Sequence, residues 1–263
     1  YPKLLFASPF TPISGARLLG TNNPTELDIF RRKIENWCRK NALLTAHILF
    51  CHEKEISVFK NKEWVTRATV QFHWQNMNYE SFDDFLSSLQ QKKRKKIKSE
   101  RRKILEKKII CKILFGDQIK IDHLDFLYKC YRKTYADHFS TPYLNKLFFN
   151  LLHYKLQPNL VISIAYSSDG RPIASSLAIL ENINGKKTLF GRYWGAIEDV
   201  PFLHFEVAYY SLIEWSILHN VTNFEGGAQG EHKLARGFEP VVSTSIHWIS
   251  NEKYREAVKK SLV

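Results

Sequence analysis

Apolar residues change their spacing several times along the chain, and each change predicts an element. From Tyr1 to Gly20, the residues Pro2, Pro9, Pro12, Gly15 and Gly20 interrupt short apolar pieces, the pattern of strand fragments and turns. Asn23-Pro24-Thr25 then opens a helix, with Leu27, Phe30, Ile34, Trp37 and Cys38 at helical spacing to about Asn41. Ala46 to Val58 reads as two short strands around a His52-Glu53-Lys54 turn. Thr66 to Trp74 alternates, placing Ala68, Val70, Phe72 and Trp74 on one side of a strand.

After Tyr79 the period turns helical. Ser81 is a suitable cap, and Phe82, Phe85, Leu86, Leu89, Lys93, Ile97, Ile104 and Leu105 follow one stripe. A single helix is expected from about 82 to 108, about 40 Å long at about 1.5 Å per residue. A strand at Ile110 to Phe115 and helices at Asp122 to His138 and Pro142 to Tyr154 follow. Leu160 to Tyr166, Pro172 to Leu180 and Lys187 to Tyr193 predict an antiparallel meander, turning at Asp169-Gly170 and at Asn184-Gly185. The second turn is the strongest hairpin signal in the chain. A helix from about Phe202 to Leu218, a strand Thr222 to Glu225, a glycine-rich loop, a strand Ser243 to Ile249 and a helix Glu252 to Lys260 complete the order. The expected fold class is α+β, a mixed α/β arrangement with no simple βαβ repeat.

Composition excludes several classes. A chain of 44% hydrophobic and 14% aromatic residues can build a core, which excludes intrinsic disorder. It has no apolar run long enough for a spanning helix. Cys38, Cys51, Cys111 and Cys130 form no CxxC pair, which suits buried thiols in a reducing compartment and predicts a cytoplasmic protein. The ten histidines include no H-x-x-x-H pair, so no metal site is expected.

Charge adds one strong feature. Of the net +13, +9 falls in Lys92 to Lys108, where eleven Lys or Arg face two Glu. Arg94, Lys98, Arg101 and Arg102 recur at helical intervals beside the anchors Ile97 and Ile104. This is the pattern of a helix held against protein with cations outward, and phosphates are their natural target. The alternative is a plain solvated face. No aromatic residues interleave with the cations, and no helix-turn-helix or zinc-finger spacing accompanies them, so DNA is not an expected partner. Peripheral contact with an anionic membrane remains an option for such an element.

Two stretches could carry chemistry. FEGGAQGEHKLARGFEPV, from Phe224 to Val241, holds Gly226, Gly227, Gly230 and Gly237, against seven glycines in the rest of the chain. Backbone amides of such a loop can converge on an anion, with Glu225, Gln229, His232, Lys233 and Arg236 among them. Its spacing matches neither a dinucleotide fingerprint nor a P-loop. The alternative is an irregular turn with solvated charges. The second stretch begins where Gly191 and Gly195 flank Arg192-Tyr193-Trp194, followed by a helix bearing His204, Glu206, Tyr209, Tyr210 and Glu214. Glu206, Tyr210 and Glu214 are four apart and are expected on one face. Glu206 is either a general base or a structural or substrate-orienting carboxylate, the latter favoured by the dipole of its helix N-terminus. His204 is an acid–base candidate or a satisfied histidine.

The segments at 1–19, 71–104, 191–195, 203–217 and 224–240 together resemble the bacterial "peptidogalycan biosynthesis/recognition" proteins, a FemAB-like branch of the GNAT acyltransferase superfamily. The resemblance implies tandem GNAT-like units, with the first truncated at its start. The units are expected at 1–90 and 110–263, with residues 91–109 as a basic linking helix. It also implies an N-acyltransferase that moves an acyl or aminoacyl group from an acyl-CoA or aminoacyl-tRNA to an amine of a peptidoglycan precursor. No tightly bound cofactor is expected; acetyl-CoA or another acyl-CoA is a candidate donor. Glu206, His204 and His232 are the candidate proton acceptors. Gly226, Gly227, Gln229, Gly230, Lys233 and Arg236 are expected to hold the donor. Substrate contacts are expected from Arg94, Lys98, Arg101, Arg102, Arg192, Tyr193, Trp194, Tyr209 and Glu225. Glu225 replaces the Asp usual in Fem proteins, and the coiled-coil arm that serves tRNA in that group is absent. The runner-up is a non-catalytic module that recognises an anionic cell-wall precursor.

Overall fold

Asn184 and Gly185 adopt φ of 52° and 82°, the left-handed pair that a tight two-residue hairpin needs. The hairpin joins β6 (Pro172–Ile183) to β7 (Lys186–Ala196) in the meander that the alternating pattern predicts. The computed structural model describes residues 2–8, 10–20, 23–60, 63–228 and 230–262. The chain divides into two units, Tyr1–Gln71 with Pro240–Val263, and Phe72–Glu239. The division does not fall at residue 90. The basic helix lies inside the second unit rather than between two units.

In the first unit, β1 (Leu4–Phe6) runs parallel to β2 (Thr45–Ile48), which pairs antiparallel with β9 (Glu239–Ile249), and β9 neighbours β3 (Trp64–Gln75). α1 (Pro24–Lys40) starts at an Asn23 cap with Pro24 in its first turn, as the sequence predicts. The expected second strand near residue 55 is instead α2 (Glu53–Phe59). His52 caps it: its Nδ1 accepts from the Lys54 amide at 3.4 Å, and the Glu55 carboxylate accepts from the His52 amide at 2.9 Å. This reciprocal cap outweighs the strand propensity of Ile56 and Val58. A last helix (Glu252–Ser261) closes the unit.

In the second unit, the end of β3 pairs antiparallel with β8 (Asn223–Glu225). β8 pairs parallel with β7, and the antiparallel run continues through β6, β5 (Leu160–Tyr166) and β4 (Ile110–Phe115). α5 (Ile121–Asp137) and α6 (Lys146–Leu156) pack on one face, over Leu160, Ile162, Ile164 and Leu177. The other face carries Phe72, Trp74, Leu189 and Phe224 under a helix at 203–218. That face is also covered by α3 (Phe82–Ser88) and α4 (Gln91–Glu106).

The single helix expected from 82 to 108 is broken. Leu89 and Gln90 are extended, with ψ of 153° and 143°. The bend sets Phe85 and Leu89 against Gly237, where an added Cβ would meet the Phe85 ring at 2.7 Å. It also leaves α4 to bury its own residues Ile97, Glu100 and Ile104.

Gly195, on β7, lies against α5: a Cβ there would approach the Cys130 carbonyl and stand 2.6 Å from Thr134 Oγ1. Helix and strand backbones touch, and neither can withdraw without opening the core around it. Gly195→Ala is expected to lower stability by about 1–3 kcal/mol, read as a fall in the denaturant midpoint with an unchanged slope.

Candidate functional site

β7 and β8 run side by side for three residues only, Thr188 with Asn223, Leu189 with Phe224 and Phe190 with Glu225. Beyond them the strands part. The chain after β8 stays with β3, the Gly226 amide donating to the Phe72 carbonyl at 2.8 Å and the Phe72 amide to the Gly227 carbonyl at 3.1 Å. β7 runs on to Ala196 with a bulge: Leu177 pairs with Tyr193 and Ala178 with Gly191, leaving Arg192 as the extra residue. The gap is a wedge of about 100 Å³. β7 lines it with Gly191, Arg192, Tyr193 and Trp194, the 203–218 helix with His204, Ala208 and Tyr209, and Phe224 and Gly226 close it. Gly191 and Gly226 are needed for close approach, since a Cβ would sit 3.2 Å from the Phe224 ring and 2.8 Å from the Phe238 ring respectively. Leu177 and Tyr193 belong to the α5–α6 side and Tyr209 and Phe224 to the other, so the wedge is lined from both faces of the sheet.

The helix that closes the wedge is irregular. Residues Glu206–Tyr210 form a π turn, with the Ser211 amide donating to the Glu206 carbonyl. The extra residue in this turn removes Tyr210 from the face it was expected to share with Glu206 and Glu214. Ser211, rather than Tyr210, comes to lie over Glu206, with its hydroxyl 3.1 Å from Glu206 Oε1. Tyr210 turns the other way and donates to Glu100. His204 stacks on Trp194 with ring centroids 4.4 Å apart, 5.8 Å from the His232 ring. Burial first, then His232, Lys233 and Arg236, push the His204 imidazole down to about 4. His232 is lowered by burial and by Arg236, Lys233 and Lys96. Both rings are therefore neutral at neutral pH.

A recess of about 570 Å³ adjoins the wedge at Trp194 and His204. Asp137, Glu198 and Asp199 line it at the start of the 203–218 helix, together with Lys133. Lys133 is paired with Asp137, and Glu198 accepts from Arg171 at 3.0 Å. Three of the helix's first four amides are already used: Leu203 donates to Val200, and Phe205 and Glu206 donate to Phe202.

A family model described as "Peptidogalycan biosysnthesis/recognition" matches residues 1–263. The chain belongs to this FemAB-like family. No protein of curated function matches the sequence. Solved structures similar to the FemAB-like chain include the L-PGS of Bacillus licheniformis, at 9% identity and a TM-score of 0.59, covering 89% of this chain and 78% of that one. The C-terminal domain of a putative lysylphosphatidylglycerol synthetase from Agrobacterium fabrum gives 10%, 0.61, 89% and 76%, and FemX gives 9%, 0.56, 90% and 80%. At these identities the likeness is one of fold, the mixed α/β GNAT-like fold.

The FemAB-like chain brings the candidate residues Arg192, Tyr193, Trp194, His204, Tyr209 and Gly226 together at the wedge. His232 stands beside them, its Nε2 3.5 Å from the Tyr209 hydroxyl. Other expected residues are placed differently. Glu206 is buried and accepts from Arg101 at 3.1 and 2.9 Å, and the same guanidinium reaches Glu214 at 2.8 Å. A carboxylate held in this way is an ion-pair acceptor rather than a general base, and Arg101 is not an outward phosphate ligand. Arg94 donates to the Ser87 carbonyl at 3.2 Å, Lys98 pairs with Asp83 at 3.2 Å and Arg102 with Glu106 at 3.4 Å. These cations lie on the flank of α4 away from the glycine loop. The flank toward it carries Lys96, whose charge acts on His232, and Lys103, over the Phe202 ring at 4.8 Å. Gly227 and Gly230 have φ of 82° and 98°, and Gln229 lies outside the described residues. Glu225 points to the opposite side from Phe224 and Gly226, with its carboxylate 3.8 Å from His73 Nε2.

Arg236 is not at a ligand surface. It is 1% exposed, forks onto both oxygens of Glu100 at 2.8 Å, and lies 3.3 Å over the Phe205 ring. Glu100 was not expected to matter. Its signal in the sequence is a carboxylate spaced three from Ile97 and four from Ile104, on the apolar stripe of a cationic helix. Removing either partner strands the other in a dry site. Glu100→Ala or Arg236→Ala is therefore expected to cost about 3–5 kcal/mol, with most of it recovered when both are Met. Glu106→Ala, which breaks the exposed pair with Arg102, is expected to cost less than about 1 kcal/mol. Urea unfolding of the set measures this.

Lys233 is buried beside the Phe72 and Tyr209 rings, its Nζ 3.3 Å from the Gly227 carbonyl, and burial lowers it to about 8. The unfolded chain then holds this proton more tightly, to about pH 10.4. Lys233→Met is expected to be more stable than the wild type at pH 7, with the gap narrowing as pH rises through 8 and closing near 10. Paired melting curves across that range test the sign.

Proposed function

We propose that the protein is an N-acyltransferase whose acyl carbonyl sits in the wedge between β7 and β8. An amine attacks that carbonyl directly: the C–N bond forms, the bond to the donor oxygen or sulfur breaks, and the leaving group takes a proton. The Arg192 bulge, where the register between β6 and β7 shifts beside the wedge, is the place at which backbone donors would meet the oxyanion that develops. Holding both reactants in one gap supplies orientation. The parallel pair that splits after Phe190 and Glu225 is the observation that carries the reading, because it makes a gap through an otherwise closed sheet.

An aminoacyl ester on tRNA fits as donor better than an acyl-CoA. A CoA diphosphate seated at the start of the 203–218 helix would face Asp137, Glu198 and Asp199 and find most of the first amides engaged. Lys96, Lys103 and the exposed cations of α4 suit a polyanion instead. The family's description supports an amine on a peptidoglycan precursor as acceptor, and an aminoacyl-tRNA donor would put the reaction in the cytoplasm. Among the described residues no helix is long and apolar enough to cross a membrane.

Gly191→Val fills the gap against Phe224 and is expected to abolish transfer while the protein still melts cooperatively. Transfer assays with aminoacyl-tRNA and acetyl-CoA, each against a muropeptide amine, are the measurement. A filled wedge that turns over at the wild-type rate overturns the wedge. Turnover with acetyl-CoA alone overturns the donor.

A further inference from the structure

We infer that Glu225, whose backbone borders the wedge on the sheet face opposite His204, is the base that takes the proton from the attacking amine. The inference rests on the acyl-transfer reading above and adds a catalytic residue to it. Glu225 is the last residue of β8 before the strands part, and its carbonyl lies 3.3 Å from where a Gly191 Cβ would be. Its backbone thus borders the wedge, and its carboxylate stands on the face from which Leu177 and Tyr193 line the gap.

The other candidates are weaker. Glu206 is held by Arg101 and Ser211. His204 is stacked on Trp194 and, at about 4, takes up a proton only in acid. Glu225 differs from both. Its ion-pair neighbour among the described residues is His73, from β3, at 3.8 Å, and burial lowers that histidine. β7 sets Phe190 opposite it, and β6 brings Glu181 near. Burial and the Glu181 charge raise the Glu225 carboxyl to about 7. A carboxylate with that affinity is a competent acceptor at neutral pH, and an incoming ammonium replaces the cation that the protein does not supply.

The step balances. Glu225 takes one proton from R–NH3+, the amine lone pair forms the C–N bond, the acyl C–O bond breaks, and the second ammonium proton leaves with the departing alkoxide. The products are an amide, the free hydroxyl of the donor and a protonated Glu225, which releases its proton to water.

Glu225→Gln keeps the shape and removes the base. Its kcat is expected to fall by about 100-fold or more with KM little changed. The acid limb of the wild-type pH profile, with a midpoint near 7, should disappear. Glu225→Asp should restore part of the rate, and Glu225→Ala should be rescued by added formate, which guards against a fold defect in the Gln variant. A Gln variant that keeps both rate and acid limb overturns the assignment while leaving the wedge intact. A wild-type chain that transfers nothing from either donor overturns the acyl-transfer reading, and this assignment with it.

Discussion

Glu100 and Arg236 meet in a dry interior, and the second unit is arranged around their need for each other. Neither charge reaches water: the guanidinium is 1% exposed and the carboxylate 4%. Each must therefore be satisfied locally, and Arg236 Nη2, which donates to both Glu100 oxygens at 2.8 Å, does most of this. Tyr210 adds a third bond to Glu100, Phe205 lies flat under Arg236, and the His232 carbonyl accepts from Nη1 at 2.7 Å. Three segments remote in sequence are tied by one contact: α4, the π turn and the short helical turn Glu231–Arg236. A hydrophobic contact would tolerate sliding. A forked ion pair fixes distance and orientation, so the loop bearing His232 and Lys233 is set at one height against the wedge.

The same pair explains how the positive charge of α4 is distributed. A helix with eleven cations in its neighbourhood cannot bury a stripe unless something on that stripe offsets them. Ile97 and Ile104 supply the apolar contact, and Glu100 between them supplies the negative charge. Arg101 on one flank goes to Glu206 and Glu214; on the other, Lys96 raises the potential at His232 and Lys103 lies over the Phe202 ring. What appears in the sequence as a uniform basic run is divided by the helix into a paired flank, a buried seam and a flank that acts on the wedge.

Periodicity carried most of the architecture. The meander, the Asn184-Gly185 turn, the helix at 203–218 and the sequence that lines the wedge were legible because each depends on local spacing. The misread places each depend on a partner distant in sequence or on a local bond that hydrophobic spacing does not report. Leu89 and Gln90 look like the middle of a helix until Gly237 is packed against Phe85. Glu206 looks like a base until Arg101 arrives from α4, 105 residues away in sequence. The π turn is invisible to a count of four, since one inserted residue changes which side chains share a face without changing their composition. His52 was missed for another reason: a histidine cap is rarer than a Ser or Asp cap, and Ile56 and Val58 spoke for a strand.

A gap that is lined from both faces of a sheet has a consequence for acyl transfer. An amine must approach a carbonyl from above its plane, and the tetrahedral centre then expels a group lying on a different side. In a pocket with one mouth, nucleophile and leaving group compete for the same opening. Here Trp194 and His204 stand on one face of the split sheet, and Glu225 and His73 on the other. Their electrostatics differ as well: Lys233 and Arg236 act on His204, and on the other face the Glu225 carboxylate has no Lys or Arg partner among the described residues. On the acyl-transfer reading, the cations beside His204 and His232 suit a polyanionic donor and the Glu225 face suits a cationic amine, so the two reactants meet the split from different sides.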